Sequence, residues 1–278
     1  VALPCWYENS SGYGGEGDLD YGLLEGGDLL VDVHVGRLSV TSTAELTTVV
    51  TKLVSYESDP DLSETNWFTT AGLTGDPSSS GWSCWWVMQF AKESLQHLNY
   101  TRIDTIYSGN FVTQMLATIN QGETFFAYRG YWYMSGLSDS HIASTSNGRQ
   151  LPFAVILTCD TGSFASDTRC RSEAFLRSST GGGMASIGTA TIGTHTRYNN
   201  CMFLGITHGV LNTGEHRVGP ALTRGKLNLY TNYIQNEADE VHVWGHWNNL
   251  MGDGATEMWT GVPQTLAVTH PAQLNALA

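Results

Sequence analysis

The sequence predicts an α/β fold in which mostly parallel strands are covered by helices. Residues 153–157 form a short apolar run that follows a proline and ends in a glycine-containing turn. Such a run is typical of a strand that is buried on both faces of a parallel sheet. Strand-like and helix-like segments then alternate along the 278 residues, a length that can bury a large core.

The elements follow from periodicity and turn residues, taken in order. Residues 1–17 are a glycine-rich lead-in without a predicted element, and a strand is predicted at 30–35. Residues 43–56 have one apolar stripe at helical spacing, and Ser42 or Thr43 can cap that helix. Residues 241–244 alternate like a strand. The other predicted strands are 67–73, 103–107, 124–128, 153–157, 184–190 and 265–269, and the other predicted helices are 85–98, 111–119, 173–177, 201–213 and 220–234.

The composition limits the classes of partner. With Lys+Arg 13 against Asp+Glu 26, the net charge is −13, which argues against nucleic acid and anionic membranes. No apolar run approaches the length of a membrane-spanning helix. Scarce lysine and abundant serine and threonine favour an extracellular or cell-surface location. The chain begins at Val1, which indicates a processed or excised fragment.

Five cysteines are too few for a disulfide framework. Cys159 stands where the apolar run 153–157 has just ended, which makes it a candidate nucleophile, although lone cysteines usually pack in the core. Cys170 and Cys201 are the favoured disulfide pair in an oxidising compartment. His242 and His246 have zinc-ligand spacing, but the strand-like pattern and the missing glutamate favour two ordinary polar residues.

Four aspartates lie close in sequence around tight turns near the start of the chain. Their oxygens could hold Ca²⁺, which takes several carboxylate ligands. The alternative is a set of solvated turn acids, because the spacing is not that of an EF-hand. The four are Asp18, Asp20, Asp28 and Asp32.

Several motifs together give the chain a family likeness. They are Val35-Gly36-Arg37, Tyr128-x-Gly130, Leu151-Pro152-Phe153 before Cys159, Cys170-x-x-Glu173-Ala174, and Leu250-Met251-Gly252-Asp253. With these motifs, residues 18–262 resemble the gingipain family of cysteine peptidases, whose fold is related to the caspases. The sequence changes character near its end, so 263–278 is expected to be a linker or the first strand of a further domain, and for the residues before it the resemblance implies two side-by-side α/β subdomains, here 1–107 and 108–262. It also implies secretion and, in many members, calcium binding.

The resemblance assigns roles to several residues. Family enzymes use a Cys–His pair, and Cys159 falls on the nucleophile. Tyr131 stands where the histidine of a Tyr-x-Gly-His-Gly motif belongs, and tyrosine cannot supply the imidazolium that activates a thiol. His141 is a weaker alternative base. An ungapped comparison gives three substrate-binding positions: Leu73 at a supporting carboxylate, Cys84 at the acid that holds a basic substrate, and His195 at a pocket tryptophan.

These substitutions favour a secreted domain that has kept the fold and lost efficient peptidase chemistry. It would act as a structural, assembly or binding module, with other proteins or its own copies as partners. One alternative is an active cysteine endopeptidase with a non-standard base and no preference for basic residues. Another is a glycan-binding surface, since exposed aromatic rings stack on sugars. The aromatic clusters are either interface anchors or core filling: Trp82, Trp85, Trp86, Tyr131, Trp132 and Tyr133.

Overall fold

The computed structural model describes residues 3–166 and 168–265, and it confirms the α/β class. The strands are β1 Trp6–Ser10, β2 Tyr13–Gly17, β3 Thr70–Gly75, β4 Arg102–Ile106, β5 Phe125–Arg129, β6 Phe153–Ile156, β7 Ala185–Thr189 and β8 Asn248–Met251. The helices are α1 Thr43–Ser58, α2 Pro77–Ser80, α3 Ser83–His97, α4 Phe111–Asn120, α5 Asp139–Ala143, α6 Arg171–Arg177, α7 Thr196–Asn212, α8 Val218–Tyr233 and α9 Ala238–Trp247. No helix in this part of the chain is long and apolar enough to cross a bilayer.

Six strands form one sheet in the order β4-β3-β5-β6-β7-β8. All neighbours are parallel except β7 and β8, which are antiparallel. Successive residues of a strand point to opposite faces, so Phe125 and Ala127 enter one apolar cluster while Phe126 and Tyr128 enter the other. The sheet is therefore buried on both faces, as the apolar run at 153–157 predicted.

The predicted subdomain boundary between residues 107 and 108 falls inside this sheet. β4 precedes the boundary and β5 follows it, and both pair with β3. The division into two subdomains stays a prediction. Of the predicted strand at 265–269, all but Thr265 lies outside the described residues.

The glycine-rich start of the chain is a β-hairpin, which the sequence did not predict. Ser11 and Gly12 take the left-handed conformation at its turn, with φ of 53° and 83°, as a tight hairpin requires. The hairpin lies against α9, where Trp247 Nε1 donates to the Glu8 carbonyl at 3.1 Å. A Cβ at Gly15 would lie 1.7 Å from the Ala190 carbonyl oxygen, so this segment is glycine-rich because its backbone packs closely.

Two predicted strands are wrong. Residues 30–35 run without strand pairing, and only the following Arg37 bridges to Met251. Residues 241–244 belong to helix α9, where Val241, Val243 and Trp244 are all buried. Because α9 is covered by both the hairpin and α8, apolar residues occur around much of its circumference and imitate the alternation of a strand.

Candidate active site

The ends of β5 and β6 are joined at the carboxyl edge of the sheet. Thr158 Oγ1 donates to the Gly130 carbonyl at 3.0 Å, immediately after both strands have ended. The next residue of each segment, Tyr131 or Cys159, therefore reaches the same cavity of about 130 Å³. The sequence predicted these two side chains at one site because it placed β5 and β6 next to each other in the sheet, as they are here.

Cys159 is presented by a tight turn that is fastened to β7. Asp160 takes a left-handed φ of 58°, and its N–H donates to the Thr191 carbonyl at 2.8 Å. Gly162 donates to the Thr189 carbonyl at 3.1 Å. A Cβ on Gly162 would lie 2.7 Å from the Gly188 carbonyl carbon, so only glycine allows the turn to approach β7 this closely.

The nearest polar partner of the Cys159 thiol is a hydroxyl. Cys159 Sγ lies 3.0 Å from Thr194 Oγ1. The described residues that line the cavity include no histidine and no carboxylate: Ser79, Ser80, Arg129, Gly130, Tyr131, Trp132, Thr158, Cys159, Thr194, Thr196 and Asn199. The thiol thus has a hydrogen-bonding neighbour that is a poor proton acceptor at neutral pH.

A buried arginine forms part of the cavity wall. Arg129 is 1% exposed and donates from Nε to Asn200 Oδ1 at 2.9 Å and from Nη1 to the Leu157 carbonyl. Burial lowers the pKa of this guanidinium from its ordinary value. The sequence analysis missed Arg129 and Thr194 as site residues, although an arginine inside the buried strand β5, between Tyr128 and Gly130, was a usable signal.

Tyr131 opens a loop with an uncommon backbone. It is 54% exposed, and beyond it Tyr133, Met134 and Ser135 all have left-handed φ angles of 60°, 48° and 51°. Such angles disfavour residues other than glycine, so other contacts must hold the loop. The contacts come from Tyr128, whose hydroxyl lies 2.8 Å from Ser135 Oγ and donates to the Tyr131 carbonyl at 3.0 Å.

Asp76 completes this support from the end of β3. Its Oδ1 accepts from the Ser78 N–H at 3.0 Å, which caps α2, and its Oδ2 accepts from the Ser135 hydroxyl. Burial raises the pKa of this carboxyl, but the hydrogen bonds from Ser135 and Ser78 outweigh burial and leave the pKa below its ordinary value. Asp76 therefore positions the loop and does not line the cavity of Cys159.

Neither candidate histidine lines that cavity. His141 Nδ1 accepts from the Ser138 N–H at 3.2 Å in a reciprocal cap at the start of α5. His195 Nδ1 accepts from the Arg197 N–H at 3.2 Å and caps α7. His195 instead lines a larger neighbouring groove of about 1100 Å³ between α3, α7 and α8. Both rings are thus engaged at helix ends.

Leu73 and Cys84 do not occupy substrate-binding positions in this structure. Both are 0% exposed: Leu73 lies in the larger apolar cluster, and Cys84, in the first turn of α3, donates from Sγ to the Ser80 carbonyl at the end of α2 at 3.9 Å. The ungapped comparison matched sequence positions without regard to burial. A charged substrate pocket would need carboxylates at these two positions, where this chain has the buried, uncharged side chains of Leu73 and Cys84.

The predicted disulfide between Cys170 and Cys201 is wrong, because all five cysteines are free. Cys170 is the N-cap of α6, which packs on α5 and β7, whereas Cys201 lies in α7, which packs on α3 and α8. The two cysteines thus belong to helices with different packing partners. Although these helices are close along the chain, the fold does not bring the two sulfur atoms together.

The four turn aspartates do not fit a common calcium site. Asp18 is held by Arg37, with oxygen–nitrogen distances of 2.6 and 2.7 Å. Asp32 accepts from two backbone N–H groups, and Asp28 accepts from one. Across residues 3–166 and 168–265, no group of three or more His, Cys, Asp or Glu side chains is arranged to hold a metal, and this applies to His242 and His246 as well.

Comparison with known proteins gives the family context of this site. The model of peptidase family C25 matches residues 2–259. Gingipain R1 of Porphyromonas gingivalis is 25% identical over 285 residues, covering 93% of this chain and 27% of that protein. Lys-gingipain HG66 of the same organism is 22% identical over 290 residues, covering 92% of this chain and 16% of its own length. The crystal structure of the Arg-specific cysteine proteinase gingipain R superimposes with a TM-score of 0.82 at 23% identity, covering 93% of this chain and 63% of that one.

Proposed function

Because the chain belongs to peptidase family C25, we propose that it is a catalytically degenerate peptidase domain that binds protein segments without cleaving them efficiently. The observation that carries the proposal is the cavity at the strand ends, which contains Cys159 and Tyr131 and, among the described residues, no imidazole. We place the domain outside the cell or on its surface, with other proteins or its own copies as partners.

The chemistry of thiol peptidases supports this reading. The nucleophile must lose its proton to a nearby base, and an acid must protonate the leaving amine. The Thr194 hydroxyl can hydrogen-bond the Cys159 sulfur but is too weak a base for the first step, and tyrosine is too weakly acidic to serve well in the second. Arg129 can stabilise negative charge but cannot exchange a proton near neutral pH.

Exposed aromatic side chains lie on the two chain segments that border the cavity, and they support binding. Trp82 and Trp86 are 69% and 64% exposed at the start of α3, and Tyr133 is 53% exposed beside Tyr131. Large rings of this kind are enriched in protein interfaces, where they act as anchors. Glycan stacking on the same rings is the competing use of this surface.

The active-peptidase alternative rests on a different observation. Cys159 is partly exposed at the carboxyl ends of parallel strands, where α/β proteins collect their chemistry. In that case the base would come from outside the described cavity lining, and the lack of a carboxylate in that lining argues for substrates without basic residues.

The deciding experiment compares the unmodified protein with Tyr131→His. We expect little hydrolysis of casein and slow alkylation of Cys159 by iodoacetamide at pH 7, because no imidazole assists the thiol. Tyr131→His should alkylate at Cys159 at least about tenfold faster, while hydrolysis stays absent because substrate is not held in register. Alkylation is measured by peptide mass spectrometry.

The matched control is Tyr133→His, which adds a histidine to the same loop without adding it to the cavity lining. Its alkylation rate at Cys159 should equal that of the unmodified protein. Robust casein cleavage by the unmodified protein, lost in Cys159→Ala, would reject the degenerate-domain proposal and put the active peptidase first.

A further inference from the structure

A second depression lies beside the Cys159 cavity and is much larger. We call it the helical groove; it has a volume of about 1100 Å³ and runs between α3, α7 and α8. Ser80 and Thr196 line both the groove and the Cys159 cavity, so the two depressions meet at one end. From Thr196 to His208 the groove follows α7 for about 18 Å, the span of about five or six residues of extended peptide.

The charges around the groove are opposite to those of the whole protein. The chain carries net −13, yet the charged side chains that line the groove, Arg197 and Arg224, are both positive. The ionisable side chains that line the groove itself are all basic or neutral: His195, Arg197, Cys201, His208, Arg224 and Tyr233. A basic groove on an acidic protein favours a negatively charged occupant.

One of the two arginines is unengaged. Arg197 is already paired with Glu237 at 2.8 Å and donates to the Tyr198 hydroxyl. Arg224 is exposed and has no hydrogen-bond or ion-pair partner in the described part of the chain. Its guanidinium is therefore available to a carboxylate from outside, in the two-pronged geometry that arginine forms with carboxylates.

Apolar side chains accompany the positive charge. Trp86 lines the groove and is 64% exposed, and Phe90, Leu204 and Leu227 line it as well. An inorganic anion would gain nothing from these rings and aliphatic chains, whereas a peptide that mixes acidic and apolar residues would contact both.

We propose that the helical groove binds an extended acidic peptide segment, with its carboxylates toward Arg224 and its apolar side chains on Trp86 and Phe90. Since the groove meets the Cys159 cavity at Ser80 and Thr196, one end of the segment is directed to that cavity. This inference rests on the proposed binding function and names the class of protein segment that the domain recognises.

The test uses a fluorescein-labelled hexapeptide, Glu-Glu-Leu-Glu-Glu-Leu, and its Gln-for-Glu counterpart, with binding measured by fluorescence polarisation on the whole chain. The acidic peptide should bind more tightly than its Gln-for-Glu counterpart. Its binding should weaken as salt rises from about 50 to about 300 mM, because the screening of exposed charges increases over this range. Arg224→Gln should weaken it about threefold, the size expected for a solvent-accessible charge pair.

Arg149→Gln is the matched control, since it removes the same charge from an exposed site that does not line the groove. Any one of four results would overturn the groove assignment: equal weakening by both variants, equal binding of both peptides, absence of binding, or tighter binding of a sulfated hexasaccharide. Mass spectrometry of the bound peptide separates the two proposals: cleavage that Cys159→Ala abolishes would reject the degenerate-domain proposal and leave the acidic-peptide assignment supported.

Discussion

At the scale of single residues, Glu123 has the most unfavourable environment for a charge. It is fully buried, and neither carboxyl oxygen has a hydrogen-bond partner among the described residues. A Cβ at Gly72 of β3 would lie 2.6 Å from its Oε2, so glycine makes room for the carboxyl. Burial, with a smaller contribution from Asp104, raises the pKa of Glu123 well above its ordinary value.

We expect Glu123→Gln to be more stable than the unmodified protein at neutral pH. Above about pH 4.5 the unfolded state loses the Glu123 proton, whereas the folded state keeps it. The unmodified protein therefore loses stability as pH rises from about 4.5 toward the raised pKa of Glu123. The difference in the free energy of unfolding should therefore grow by up to about 1.4 kcal/mol per pH unit over that range.

Urea unfolding of both proteins at several pH values between about 4 and 8 measures this difference. Glu25→Gln, at an exposed position, is the control for replacing a carboxyl group by an amide. A difference between Glu123→Gln and the unmodified protein that does not change with pH would contradict the argument.

Residue identity predicted part of the site. Cys159 and Tyr131 were expected together because each follows the end of a neighbouring strand, and they line one cavity. Leu73 and Cys84 were assigned to substrate contact because a comparison of sequences carries no information on burial. Thr194 could not be predicted, because its contact with Cys159 joins turns that are 35 residues apart.

At the scale of elements, two facing glycines set the distance between the Cys159 turn and β7. We expect Gly162→Ala to lower the free energy of unfolding by about 1–3 kcal/mol, the usual cost of overpacking. The new Cβ would lie 2.7 Å from backbone of Gly188, which cannot rotate away as a side chain could. Urea unfolding measures the loss.

Gly27→Ala is the control for Gly162→Ala, since a Cβ at Gly27 meets nothing within 4 Å. Its free energy of unfolding should differ from that of the unmodified protein by less than about 0.5 kcal/mol. Equal stability of the two alanine variants would show that the turn can move away from β7 without cost.

Periodicity predicted those elements that have one buried side or a continuous apolar run. The helix expected at 43–56 is present as α1, with Val49, Leu53 and Tyr56 buried on one side. The segment 30–35 has strand-forming residues but no neighbouring strand to pair with, and pairing is not encoded locally. The β1–β2 hairpin was missed because its glycines are required by close packing against α9 and the Ala190 backbone, which are distant in sequence.

At the scale of the whole molecule, the thiol count tests how the helices are arranged. We expect iodoacetamide to modify all five cysteines after unfolding in urea without reductant, because none is paired. In the folded protein Cys84, Cys170 and Cys201 should be protected by burial, which also raises the pKa of Cys201 to about 11. Peptide mass spectrometry identifies the modified positions, and a linked Cys170–Cys201 peptide would refute the arrangement of α6 and α7.

The support that Asp76 gives to the left-handed loop has a consequence for the conditions in which the domain can work. Three residues of that loop are held against their backbone preference by contacts that include the ionised Asp76 carboxylate. Because its pKa lies below the ordinary value, this contribution is complete at neutral pH and is lost only as pH falls through that lowered pKa. The loop at the entrance of the Cys159 cavity should therefore tolerate acid, and it should keep its shape when the surroundings are mildly acidified.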